Sequence, residues 1–169
     1  MLSLSQEGGV RGVIGVIGVI GESAFSDPAH DALAEEVGRR IAASGCALIC
    51  GGLGGVMEAA ARGAREAGGV TIGVLPGPTR AEANPHIDIA IATGMGQMRN
   101  LIIVLTADAL IAIGGGYGTL AEIGHALRHG KPVVGLRTWE AARGGDRAPI
   151  TVVETAEDAV RAALRAASR

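Results

Sequence analysis

Twice in this chain an apolar run meets a cluster of glycines and then a helical pattern. The two segments are Leu48–Ala60 (LICGGLGGVMEAA) and Ile111–Glu122 (IAIGGGYGTLAE). A strand that ends in glycines and feeds directly into a helix is the turn of a parallel α/β unit, because the helix has to fold back over the sheet it leaves. Two such turns within 169 residues point to one sheet covered by helices, without a second domain.

The remainder alternates in the same way. Gly12–Ile20 reads as a buried strand of β-branched residues. Ser26-Asp27-Pro28 opens a helix, with Asp27 as its cap and Pro28 at the first helical position. Leu33, Val37 and Ile41 form that helix's apolar stripe, and Gly45 ends it. Further strands are expected at Ala47–Cys50, Val70–Leu75, Ala109–Ile113 and Val133–Leu136, with short ones at Ile87–Ala92 and Thr151–Val153. Helices are expected over 56–67, 96–107 and 119–129, and a last one is opened by a capping box of Thr155 and Asp158. Pro76–Pro85 is a loop long enough for a mobile flap, and Trp139–Pro149 is a charged loop. The chain is 48% hydrophobic but only 2% aromatic, so its core is built from Ala, Val, Ile and Leu, which suits parallel strands buried on both faces. The expected fold is a single-domain, doubly wound, Rossmann-like α/β domain over residues 12–169. Its sheet is mostly parallel with helices on both faces, and residues 1–11 form a flexible N-terminal tail.

Several classes of function are set aside. A net charge of −2 gives no reason to expect a nucleic-acid partner. Gly12–Gly21 is apolar but far too short to span a bilayer, and residues 1–11 lack the pattern of a secretory signal, so a cytoplasmic protein is expected. Cys46 and Cys50 have neither C-x-x-C nor metal spacing and read as buried free thiols. His30, His86, His125 and His129 show no ligand spacing either, so no metal site is expected. Lys131 is the single lysine. It sits in GKP before a strand, opposite the expected ligand crevice, and so argues against a pyridoxal enzyme, whose Schiff base needs a lysine at the site. Leu101–Leu105 is apolar on every side of its helix, so it should be buried on every side. In a domain this small, that implies burial partly against a second subunit, in a homodimer or homotetramer.

The glycine turns carry the chemistry. Glycine permits positive φ and lets a ligand approach the main chain. The helix that follows offers unpaired N–H groups and about half a positive charge, for which phosphate is the natural guest. The candidate contacts are Gly51, Gly52, Gly54 and Gly55 in the first turn. In the second they are Gly114, Gly115, Gly116, Tyr117, Gly118 and the hydroxyl of Thr119. Gly21, Glu22 and Ser23 follow the first strand and belong to the same crevice. Such turns also serve simply to pack helix on sheet, but two at equivalent places favour a ligand. Neither turn is a G-x-x-x-x-G-K-[ST] loop, and neither follows the first strand with dinucleotide spacing, so triphosphate hydrolysis and NAD are unsupported. Arg80 in the flap is either a phosphate contact or a solvent charge, and Glu58 is a solvated helix residue.

GGLGGVMEAAARGAREAGG, TIGVLPG, TGMGQMRN, GGGYGTLAE and GKPVVGL, in that order, resemble the LOG-like Rossmann superfamily, whose members often carry a lysine decarboxylase label. Within it the chain is most similar to the branch that contains the molybdenum cofactor carrier protein. The resemblance runs from about Gly15 to Trp139. It implies a bound phosphorylated pterin or nucleotide, with molybdenum cofactor or a nucleotide as ligand and no cofactor needed for folding. The superfamily's phosphoribohydrolases cleave the N-glycosidic bond of nucleoside 5′-monophosphates with the motif PGGxGTxxE and a preceding M-x-x-R-K. Gly115–Thr119 match the first motif, Glu122 falls on its glutamate and Arg99 on the arginine of the second. If the chain is a hydrolase, Arg99 and Glu122 are thus its catalytic pair. Gly114 stands where the motif has proline, and Asn100 where it has lysine. These departures favour binding over hydrolysis, with hydrolysis as the alternative.

Overall fold

A computed structural model describes residues 12–168; the expected N-terminal tail lies outside them. Along the chain come β1 (Val16–Gly21), α1 (Ala29–Ala43), β2 (Ala47–Cys50), α2 (Val56–Glu66), β3 (Thr71–Leu75) and β4 (Ile89–Ala92). A turn of 3₁₀ helix (Gly96–Arg99) runs into α3 (Asn100–Thr106). Then follow β5 (Ala109–Ile113), α4 (Tyr117–Arg128), β6 (Val133–Leu136), the two-residue strands β7 (Ala142–Arg143) and β8 (Asp146–Arg147), β9 (Ile150–Val153) and α5 (Ala156–Ala167).

Seven strands form one sheet in the order β4-β3-β2-β1-β5-β6-β9. Every pairing in it is parallel, from Ile17 beside Leu48 to Val134 beside Thr151. β7 and β8 form a separate antiparallel ribbon. Order reverses between β1 and β5: the chain winds outward from β1 through β2, β3 and β4, then returns to add β5, β6 and β9. That reversal is the switch point at which doubly wound sheets bind ligands, beyond the carboxyl ends of the strands.

The two faces of the sheet are covered differently. Ala34, Val37 and Ile41 of α1, Val56, Ala59 and Ala60 of α2, and Ala156, Val160 and Ala163 of α5 pack on one side, against Ile17, Val19, Leu48 and Ile111. Ile103 and Val104 of α3 and Ile123 and Ala126 of α4 cover the other, against Ile20, Ile49, Val74 and Leu110. Each such buried Val, Ile or Leu side chain contributes about 1.5–3 kcal/mol, and each alanine methyl less. The helix ends bear out the capping chemistry. Asp27 Oδ1 accepts the Ala29 N–H at 2.9 Å, and Thr155 Oγ1 accepts the Asp158 N–H at 3.1 Å.

The expected elements shift at several places. β1 begins at Val16, where its partner β2 begins, and Ile14 before it is exposed; a continuous β-branched run carries no mark of where neighbouring strands start. The 96–107 helix divides into a 3₁₀ turn and α3. α4 begins at Tyr117 and so makes Glu122 its sixth residue, not its fourth. The Leu101–Leu105 segment is not buried all round: Ile103 and Val104 are buried, but Leu105 is 49% exposed because α3 has the sheet on one side only. Lys131 lies at the amino end of β6, as expected, and its ammonium donates to Leu105 O and Ala107 O at the end of α3. Among the described residues, no helix is long and apolar enough to cross a membrane.

Candidate functional site

The carboxyl ends of β1, β2 and β5 enclose a cavity of about 440 Å³. Three loops converge there because all seven strands of the sheet point the same way. Of the sequence candidates, Gly21, Glu22, Ser23, Gly51, Arg99, Asn100, Gly116, Gly118, Thr119 and Glu122 line the cavity. Gly52, Gly54, Gly55, Gly114, Gly115 and Tyr117 do not. Gly52 faces β3, where a Cβ would lie 2.8 Å from Leu75, and Gly54 abuts the Ser23 carbonyl. Gly55 caps α2 at φ +63, tucked against Glu22 and Ser23. Gly114 packs on His30, Gly115 bends the second turn at φ +107 beside Thr119, and Tyr117 is 83% exposed outside. Arg80 is exposed and lines no part of the cavity, so its phosphate role in the flap is not supported. The flap itself is moored by Asn84, whose side chain donates to Leu53 O at 2.8 Å.

The second turn presents the open end of α4. Gly116 is its N-cap, with Tyr117, Gly118 and Thr119 next, and the N–H groups of this first turn have no carbonyl behind them to bond. A Cβ added at Gly116 or Gly118 would meet nothing within 4 Å, so both glycines border empty space. The first turn serves differently. A Cβ on Gly51 would lie 2.6 Å from Arg99 Nη2, and the absence of one lets that guanidinium donate to Gly51 O at 3.3 Å.

Three charged groups set the electrostatics. Arg99 is only 6% exposed, and its Nε is buried without a partner, as is Asn100 Oδ1 beside it. Burial lowers the guanidinium's pKa, opposed by the nearby Glu122 charge. Arg99 and Glu122 share the cavity without a direct ion pair. Burial therefore wins at Glu122 and pushes its carboxyl up to about 7, against the pull of Arg99. Glu22 goes the other way. Burial alone raises it, but hydrogen bonds from His30, Ser26 and the Gly115 amide hold it below the usual carboxylate range. Its bonds to His30 Nδ1 and Ser26 N, at 2.8 and 2.9 Å, tie the loop after β1 together. Cys50, just before Gly51, is buried and inert, its thiol pushed up to about 11 by burial.

The cavity is completed by Val19, Ile20, Ala24, Leu53, Met57 and Gln97, which were not singled out from the sequence. Met57 lies in the first turn of α2, and Gln97 sits two residues before Arg99; both positions follow from their motifs once the turns are known to converge.

Fold and cavity together define a Rossmann-like α/β domain with a cleft at the topological switch point, lined by a buried arginine and a helix N-terminus. The chain belongs to the SLOG cluster4 family, whose model matches residues 13–164. It is 38% identical to the molybdenum cofactor carrier protein of Chlamydomonas reinhardtii, with a TM-score of 0.82 over 92% of this chain and 99% of that one. The molybdenum cofactor binding protein of the phototrophic bacterium Rippkaea orientalis is 36% identical, with a TM-score of 0.81 over 87% and 93% of the two chains. In sequence, it is 39% identical over 117 residues to the cytokinin riboside 5′-monophosphate phosphoribohydrolase of Mycobacterium tuberculosis, covering 63% of this chain and 62% of that enzyme.

Proposed function

We propose that this protein binds a phosphorylated pterin cofactor, the molybdenum cofactor in the first instance, and holds it without transforming it. The observation that carries this reading is the conjunction, in one cavity, of an open helix N-terminus with the Arg99 and Asn100 side chains, each of which keeps one buried polar atom without a partner behind the cavity wall. Unpaired buried polar groups cost about 1–3 kcal/mol each, and such a cost is retained most often where a site serves a function. The chemistry of the group fits these residues. Its phosphate suits the N–H groups at Gly116, Tyr117, Gly118 and Thr119, with the Arg99 charge nearby. A Glu122 that keeps its proton near neutrality can donate to the ligand without repelling the phosphate. When bound, the cofactor supplies the molybdenum chemistry; the chain binds, orients and excludes water. The likeness to the Chlamydomonas and Rippkaea proteins supports the same reading.

The hydrolase reading rests on Glu122 itself. A carboxyl poised near pH 7 inside a cleft is suited to protonate a departing base, and an N-glycosidic bond breaks with charge developing on the sugar. Native mass spectrometry of freshly purified protein, run beside an assay for adenine release from AMP, separates the two. A co-purifying pterin and no adenine is the expected result. Adenine release that disappears in Glu122→Gln overturns the carrier reading.

A further inference from the structure

The second glycine turn is held from outside the cavity by the loop that follows β6. The Thr138 hydroxyl donates to the Gly114 carbonyl. The Trp139 indole Nε1–H is shared between the carbonyls of Gly115 and Gly116, at 3.0 and 3.1 Å. Three consecutive carbonyls are thus drawn toward residues 138 and 139. The Gly115 amide also helps hold the Glu22 carboxyl below its usual range.

The peptide plane makes this a directional device. A trans peptide holds the carbonyl of one residue and the N–H of the next on opposite sides. Pulling the Gly115 and Gly116 carbonyls onto Trp139 therefore turns the N–H groups of Gly116 and Tyr117 away from it. Gly116 borders the cavity on that far side. Glycines at φ +55 and +107 would otherwise leave this turn free to rotate its peptides. Trp139 is the only tryptophan in a chain with one tyrosine and one phenylalanine, and that tyrosine, Tyr117, packs on its ring at 5.7 Å.

We infer that Trp139, assisted by Thr138, is a positioning residue that presets the Gly114–Gly116 turn as an anion site by pinning its carbonyls outward. The inference rests on the phosphate-binding reading of the cavity. An anion on the N–H groups polarises the same peptides and strengthens the bonds their carbonyls accept. The indole N–H thereby reports occupancy of a site it does not touch.

The test uses the full chain and inorganic phosphate as the probe. In nitrogen–proton correlation spectra of the wild type, the single indole N–H signal should move downfield as phosphate saturates the protein. Trp139→Phe keeps a ring against Tyr117 but loses the donor, and Thr138→Val loses the hydroxyl at nearly constant shape. Each should weaken phosphate about tenfold, because the turn must then orient its N–H groups on binding, and each should also lower the unfolding midpoint modestly, so affinity is read where the variants remain folded. Phosphate binding with an unmoved indole signal overturns the inference, and so does wild-type affinity in Trp139→Phe. The first arm needs no variant, so it decides the matter even if Trp139→Phe fails to fold. If the wild type binds no phosphate at all, the functional reading falls, and the inference falls with it.

Discussion

Glu122 is a carboxyl in an environment that disfavours its charge. The folded protein holds its carboxyl at about 7, against an ordinary value of 4.5. Between those values the folded chain keeps a proton that the unfolded chain has released. Its stabilising effect is therefore complete below pH 4.5 and is lost as pH rises to 7, to the extent of about 3 kcal/mol at most. Glu22, Glu35 and Glu36, held below the usual range, act in the opposite sense and lose their effect as pH falls. Comparing wild type with Glu122→Gln cancels those three. Urea midpoints at pH 5 and pH 8 should fall more in wild type than in the variant; parallel shifts would remove the claim. The glycines give a second contrast. Gly118 is helical and open to the cavity, so Gly118→Ala should hold or raise stability by up to about 1 kcal/mol while weakening phosphate binding. Gly115 sits at φ +107 with Thr119 2.5 Å from any Cβ, so Gly115→Val should lower stability and binding together. Titration calorimetry and thermal melts on both variants would check the pairing; a Gly118→Ala that binds normally would mean the ligand lies elsewhere.

At the scale of elements, the α1–α2 contact is the most demanding. Both helices carry an interior glycine, normally a cost of about 1 kcal/mol each. The structure gives the reason. A Cβ on Gly38 would stand 1.9 Å from Ala60 O, and one on Gly63 would stand 1.9 Å from Glu35 O. The helices meet backbone to backbone, and the contact brings α2, with the first glycine turn at its head, close onto the sheet. Gly38→Ala should thus cost about 2 kcal/mol or more through overpacking. Gly38→Ala combined with Gly63→Ala should cost less than the sum, since the first substitution already parts the helices. Denaturant unfolding of the three variants measures this; strictly additive losses would argue that the two contacts are independent. Ion pairs tie the same helices: Arg62, itself only partly exposed, donates from Nε and Nη2 to Glu35 and from Nη2 to Asp31.

For the whole molecule, the α3 side of the sheet is unfinished. Ile89 and Ile91 pair with Ile72 and Val74 and so share their face, the one that carries α3. They are 50% and 41% exposed, Leu105 is 49% exposed and Met98 70%. Apolar exposure of this extent predicts self-association. Light scattering at micromolar concentration should give a mass that is a multiple of 16.9 kDa, and Leu105→Glu should lower it without unfolding the subunit. A wild type that scatters as a clean monomer ends this expectation.

The amino-acid sequence determined the class of fold, because alternation of apolar strands and helices is a local property written in periodicity, caps and glycine stops. β2, β5 and β6 fall where their apolar runs say, and Thr155 caps α5 as its spacing requires. It also marked Arg99, Asn100, Glu122 and all four glycines that border the cavity, Gly21, Gly51, Gly116 and Gly118, together with five glycines that do not. Which glycines border the cavity and which merely let elements approach was decided only in three dimensions. Gly51 and Gly52 are adjacent in sequence, yet one borders the cavity and the other faces β3, since the chain turns sharply after β2 with Gly52 at φ +73. The elevated pKa of Glu122 was not legible either, because desolvation is a sum over neighbours drawn from distant segments. Trp139 lies 23 residues from the nearer carbonyl it grips, and only the pairing of β5 with β6 carries its loop to that turn.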